Sequence, residues 1–183
     1  MSTLVVIFPG VGYHSDKPLL YYSKKLAKEY NYEIVETNYN NLPDKIFGDK
    51  NKMKEAFDIA FEQVSKQLDN ISWDKYDRKI FISKSIGTAL SVVYDKTRGT
   101  GAEHILFTPV PQTYDFVRPE SGICFAGNND PWCPIELSIS KCEENNIPLM
   151  IIDRANHSLE TGDVSIDLEN MQKIMHEVEK YLE

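Results

Sequence analysis

Cysteine, histidine and clustered positive charge are all scarce in this sequence. The 3 cysteines, Cys124, Cys133 and Cys142, match neither a CxxC pair nor a Cys/His metal spacing. An odd number also cannot pair completely within one chain, so reduced thiols in a cytoplasmic protein are expected, with no metal and no cofactor. Lysine and arginine total 20 against 28 acidic residues, a net charge of −8, and no basic run stands out. Duplex binding needs clustered cations that displace counterions, so nucleic acid is excluded as a partner, and an anionic membrane surface with it. Long hydrophobic runs are missing too. The apolar stretch over residues 4–8 has neither a basic flank nor a small-residue cleavage site. It is too short for a secretory signal, and a membrane span takes about 20 apolar residues.

What remains is the composition of a folded domain. Of 183 residues, 42% are hydrophobic and 26% charged, with 9 Gly and 9 Pro, which excludes disorder, collagen and coiled coil. A chain of this length buries roughly 70% of its unfolded surface and needs no staple. No linker or repeat interrupts it, so one domain over residues 1–183 is expected, with a small molecule as its partner.

The pattern along the chain is alternation. Residues 4–8 (LVVIF), 32–37, 79–83 (KIFIS), 104–110, 122–126 and 148–153 read as six strands. Between them lie apolar stripes at helical spacing, such as Met53, Ala56, Phe57, Ala60, Phe61, Val64 and Leu68, and the chain closes on a helix from Met171 to Leu182. Strands that are apolar throughout and separated by helices predict a parallel sheet covered on both faces, an α/β/α sandwich. Chemistry in such sheets gathers at the carboxyl ends of the strands.

Four strand ends carry candidate residues. Ser83-Lys84-Ser85-Ile86-Gly87 stands where the third strand meets a helix. A serine there is held on a tight turn with its hydroxyl out of the sheet, and the Ile86 amide faces any charge forming beside it. The competing reading is an ordinary turn with serine as a cap. Asp130, in Gly127-Asn-Asn-Asp130-Pro-Trp132 after the fifth strand, can orient an imidazole; the competing reading is an Asx turn. His157 is the one histidine of 4 on a loop after a late strand end; a hydrogen-bonded structural histidine is its alternative. Pro9-Gly10-Val11-Gly12-Tyr13 follows the first strand, and its glycines free an amide, that of Val11, to point at the Ser85 corner. The order along the chain is oxyanion loop, serine, aspartate, histidine, which is the order of the α/β-hydrolase triad.

On these residues the sequence resembles the α/β-hydrolase superfamily. It is most similar to the small lidless serine hydrolases, the dienelactone-hydrolase-like proteins and short carboxylesterases. The resemblance spans residues 4–183 and rests most on residues 83–87, 127–132 and 156–158. It implies a mostly parallel six-stranded sheet in the order 2-1-3-4-5-6. It also implies Ser85 as nucleophile, His157 as base, Asp130 as its orienting acid, and Val11 and Ile86 as oxyanion donors. Two positions depart from the pattern: Ser83 replaces the first glycine of the elbow, and Pro9 stands where many members have histidine.

The implied activity is hydrolysis of a small ester or thioester through an acyl-enzyme. Residues 109–119 leave too little chain for a helical cap. Gly12, Tyr13, Tyr114, Phe116 and Trp132 are then the expected substrate wall. Two other readings stand beside this one: a hydrolase-fold binding protein with a vestigial triad, and a nucleotide-binding domain. The latter rests on Gly10-Val-Gly12-Tyr-His-Ser15, half of a GxGxxG fingerprint.

Overall fold

A computed structural model describes residues 2–183. Six strands, β1 (Thr3–Phe8), β2 (Glu33–Glu36), β3 (Arg78–Lys84), β4 (Glu103–Phe107), β5 (Gly122–Gly127) and β6 (Leu149–Ile152), form one sheet. Its order is β2-β1-β3-β4-β5-β6 and every pairing is parallel. Four helices lie between successive strands, α1 (Pro18–Glu29), α2 (Lys50–Leu68), α3 (Ile86–Arg98) and α4 (Ile135–Glu144), and α5 (Val164–Leu182) follows β6.

Alternation along the buried strands sorts the core into two layers. Val5, Ile7, Ile80, Ile82 and Ile105 point to one face, beneath Leu19 and Leu20 of α1 and Ile174 and Val178 of α5. Leu4, Val6, Phe8 and Phe81 point to the other, beneath Ala60 and Val64 of α2 and Leu90 and Tyr94 of α3. Each fully buried side chain of this size contributes roughly 1.5–3 kcal/mol, so the two-faced strands anchor the fold.

Several boundaries differ from the sequence pattern. The fourth strand ends at Phe107 rather than residue 110, because Thr108 turns at φ 42° and Pro109 has no amide to continue the ladder. The sixth is shorter than 148–153 at both ends. The last helix starts at Val164, capped by Asp163, which accepts from the Ser165 and Ile166 amides. Its opening residues Val164 and Leu168 are 74% and 67% exposed, so no apolar stripe marks its first turns.

Residues 38–49 form an irregular strap between β2 and α2. The strap is fastened at its start: the Asn38 and Asn40 amides donate to the Gln67 and Gln63 side chains, at 2.9 and 3.1 Å. No helix among the described residues is long and apolar enough to cross a membrane.

Candidate active site

Ser85 sits at the junction of β3 and α3 with φ 57° and ψ −126°, a conformation unfavourable for any residue with a Cβ. Its surroundings hold it there. A Cβ at Gly87 would lie 2.3 Å from the Phe8 carbonyl oxygen, so only glycine lets α3 approach β1 this closely. The departure at Ser83 is accommodated: its hydroxyl donates to the Ile105 carbonyl at 3.4 Å and accepts from Ser91 at 3.2 Å.

The loops after β5 and β6 meet over Ser85. A Cβ at Gly127 would lie 2.2 Å from the Ala155 carbonyl oxygen, so glycine is what lets them touch. Asn128 ties them further, donating to Asp153 at 2.8 Å and accepting the Arg154 amide at 2.6 Å. Asp130 Oδ1 accepts the Trp132 amide at 2.8 Å, which leaves Oδ2 for His157 Nδ1 at 2.7 Å. His157 Nε2 is 2.8 Å from Ser85 Oγ. A carboxylate only accepts, so Nδ1 carries the proton and Nε2 is left to accept from the serine hydroxyl. Burial depresses the His157 pKa, Lys84 nearby pushes the same way, and Asp130 opposes both. The ring therefore stays neutral to lower pH than an ordinary imidazole.

The loop after β1 turns on a Gly10–Tyr13 bridge, with amide-to-carbonyl distances of 3.0 and 3.1 Å. Among the described residues the Val11 amide has no protein partner. The Ile86 amide is the first of α3 and precedes the intrahelical ladder. Val11 and Ile86 border the same cavity as Ser85. At Pro9, where histidine is common, loop support comes from Tyr39, whose hydroxyl donates to the Pro9 carbonyl. Helix α1 begins only at Pro18, so the glycine turn does not open directly into a helix as a dinucleotide fingerprint requires.

The cavity above Ser85 is about 730 Å³, within the range of small-molecule sites. Phe116 and Trp132 line it, as expected. The remaining expected wall residues lie elsewhere. Tyr13 is buried, its hydroxyl accepting the Leu19 amide at 3.2 Å. Tyr114 is buried beside Cys124 under α4, and its position in a 3-10 turn aims it into the core. Gly12 borders a separate, smaller depression. Their places are taken by Ile46 and Phe47 of the strap and Met53 and Phe57 of α2.

Lys84, directly before Ser85, is a further residue beside the site. Its side chain is 1% exposed, with Nζ 5.1 Å from the Tyr13 ring centroid. Burial pulls its pKa down to about 7, against the pull of Asp130 and Glu160. The signal in the sequence was a lysine at the end of an apolar strand, directly before the serine. The three cysteines are free and buried, and among the described residues no group of three or more His, Cys, Asp or Glu is arranged to hold a metal.

The topology and the strand-end site define an α/β-hydrolase fold. An α/β-hydrolase superfamily protein from Xanthomonas campestris pv. campestris superimposes with a TM-score of 0.67 at 10% identity, covering 100% of this chain and 98% of that one. A lidless member of the α/β serine hydrolases, also from Xanthomonas campestris, gives 0.62 at 14% identity over 98% and 82%. Est1E from Butyrivibrio proteoclasticus gives 0.65 at 10% over 99% and 87%, and a second structure of it holds ferulic acid. No protein-family model matches the sequence, and no curated protein does.

Proposed function

We propose that this protein is a serine hydrolase that cleaves an ester or thioester through an acyl-enzyme. The observation that carries this reading is the hydrogen-bond chain Ser85–His157–Asp130, at 2.8 and 2.7 Å, opening into an apolar cavity. His157 Nε2 takes the hydroxyl proton as Ser85 Oγ attacks the carbonyl carbon. The oxyanion rests on the Val11 and Ile86 amides, where charge develops only in the transition state. His157 then hands its proton to the departing alcohol or thiol. Water, deprotonated by His157, releases the acid and restores the serine. Asp130 holds the imidazole tautomer and stabilises the imidazolium. The likeness to Est1E, which binds ferulic acid, supports an acyl group of aromatic or similarly apolar character.

The test is fluorophosphonate labelling together with turnover of p-nitrophenyl esters. Wild-type protein labels at Ser85 and hydrolyses them; Ser85→Ala stays folded and loses roughly 10⁴-fold or more in kcat. Full turnover by Ser85→Ala, or a wild type that resists the probe, sinks the reading. The second result would favour a binding protein on the same scaffold.

A further inference from the structure

The walls of the cavity carry charge of one sign only. Lys45 of the strap and Lys50 and Lys54 of α2 border it, and no aspartate or glutamate does. That is against the trend of a chain with a net charge of −8. Lys50, Met53, Lys54 and Phe57 follow at i, i+3, i+4 and i+7, so both lysines share the helical stripe that faces the cavity.

This arrangement works against the helix. Lys50 and Lys54 repel each other at i, i+4. The first turn of α2 holds no acidic residue, so its cations oppose the positive end of the helix dipole, which the Asp49 cap offsets in part. Lys54 is partly answered by Asp58 one turn on. Among the described residues Lys45 and Lys50 form no ion pair. Asp49, next to Lys50 in sequence, caps the Asn51 and Lys52 amides through Oδ1 and forms no ion pair with Lys50. A ligand anion in the cavity relieves all three unfavourable terms at once. Apart from Ser85, His157, Gln112 and Ser158, the rest of the lining, Ile46, Phe47, Met53 and Phe57 among it, suits an apolar body.

We infer that the substrate is an apolar ester or thioester bearing a carboxylate or phosphate, held by Lys45, Lys50 and Lys54. The inference rests on the serine-hydrolase reading for the bond cleaved, and on the cavity alone for the ligand's charge.

Two matched ester pairs test it. Mono-p-nitrophenyl pimelate against p-nitrophenyl heptanoate places the anion on the acyl side. 4-(Heptanoyloxy)benzoate against phenyl heptanoate places it on the alcohol side. In at least one pair the anionic ester has the higher kcat/KM by about tenfold, the scale of two or three solvent-exposed ion pairs. Added salt lowers that ratio, and the K45E/K50E/K54E variant inverts it. Equal turnover within both pairs, or a ratio the variant leaves unmoved, overturns the inference while fluorophosphonate labelling upholds the hydrolase reading. If labelling itself fails, calorimetric binding of octanoate against octanamide decides. Preference for octanoate that is lost in the variant supports the anion site, and equal affinity removes it.

Discussion

Trp132 lies nearly flat on His157, with ring centroids 5.2 Å apart and planes 24° from parallel. The same indole meets Phe47 of the strap at 4.6 Å. The candidate base is therefore packed against a wall of its own cavity, and its orientation depends on an aromatic face as well as on Asp130.

Replacing Trp132 with leucine removes that face while keeping an apolar lining. An aromatic pair is worth about 0.5–1.5 kcal/mol beyond its burial, so kcat/KM is expected to fall about threefold to tenfold. Because a π face favours the imidazolium, the acidic limb of the pH profile also moves to lower pH. Trp132→Phe recovers most of both. A leucine variant with an unchanged rate and profile would show that the stacking is incidental.

Lys84 links stability to pH. Its pKa falls from an ordinary 10.5 to about 7 on folding, so between those values the unfolded chain binds more protons. Stability then rises with pH across that window, and the penalty of the buried charge is fully present below it. Lys84→Met is expected to be more stable by about 1–4 kcal/mol at pH 6, with the advantage shrinking towards pH 10. Denaturation midpoints at the two pH values measure this.

The same substitution reaches the chemistry. The wild-type acidic limb of kcat/KM is expected below the ordinary imidazole value of 6.5, because burial and Lys84 both disfavour the imidazolium. Without the lysine charge the limb moves up. A limb that moves down on Lys84→Met would contradict the electrostatic role assigned to this residue.

The backbone of Ser85 holds strain that glycine would release. At φ 57° and ψ −126° a side chain is unfavourable, so Ser85→Gly should unfold at a higher temperature than either wild type or Ser85→Ala. The gain expected is about 1–3 kcal/mol at the loss of all activity. Calorimetry of the three proteins tests the order.

Gly87→Ala acts in the opposite direction. Its Cβ would collide with the Phe8 and Pro9 carbonyls at 2.3 and 2.5 Å, neither of which is the end of a flexible chain. A loss of about 1–3 kcal/mol or more is expected, with the elbow displaced. An alanine variant of unchanged melting temperature would mean that α3 has room to shift.

The sheet was legible because strands buried on both faces are apolar at every position, as in residues 4–8. Ser85, Asp130 and His157 were legible as residues because each follows a strand end, where the topology leads their loops to one rim. Of the cavity wall, only Phe116 and Trp132 were. Met53 and Phe57 read as core because an apolar helical stripe looks the same whether it meets the sheet or a void. The strap over residues 38–49 has no periodicity to read. Tyr13 and Tyr114 stand next to loops that reach the site, yet their direction is set by turns that composition does not reveal. The first two turns of α5 were hidden by exposed Val164 and Leu168.

The strap has one more consequence, for how such a protein diversifies. Asn41, Lys45 and Gly48 all adopt left-handed backbone conformations, so its path is set by local turns rather than by the sheet. The candidate reactive groups stand on strand ends far along the chain, while Lys45, Ile46 and Phe47 of the cavity wall belong to this one excursion. On the proposed reading, part of the selectivity is thus written on a stretch of polypeptide separate from the chemistry. Grafting a different strap between β2 and α2 offers a route to new substrates in which the elbow, the acid and the base are inherited intact.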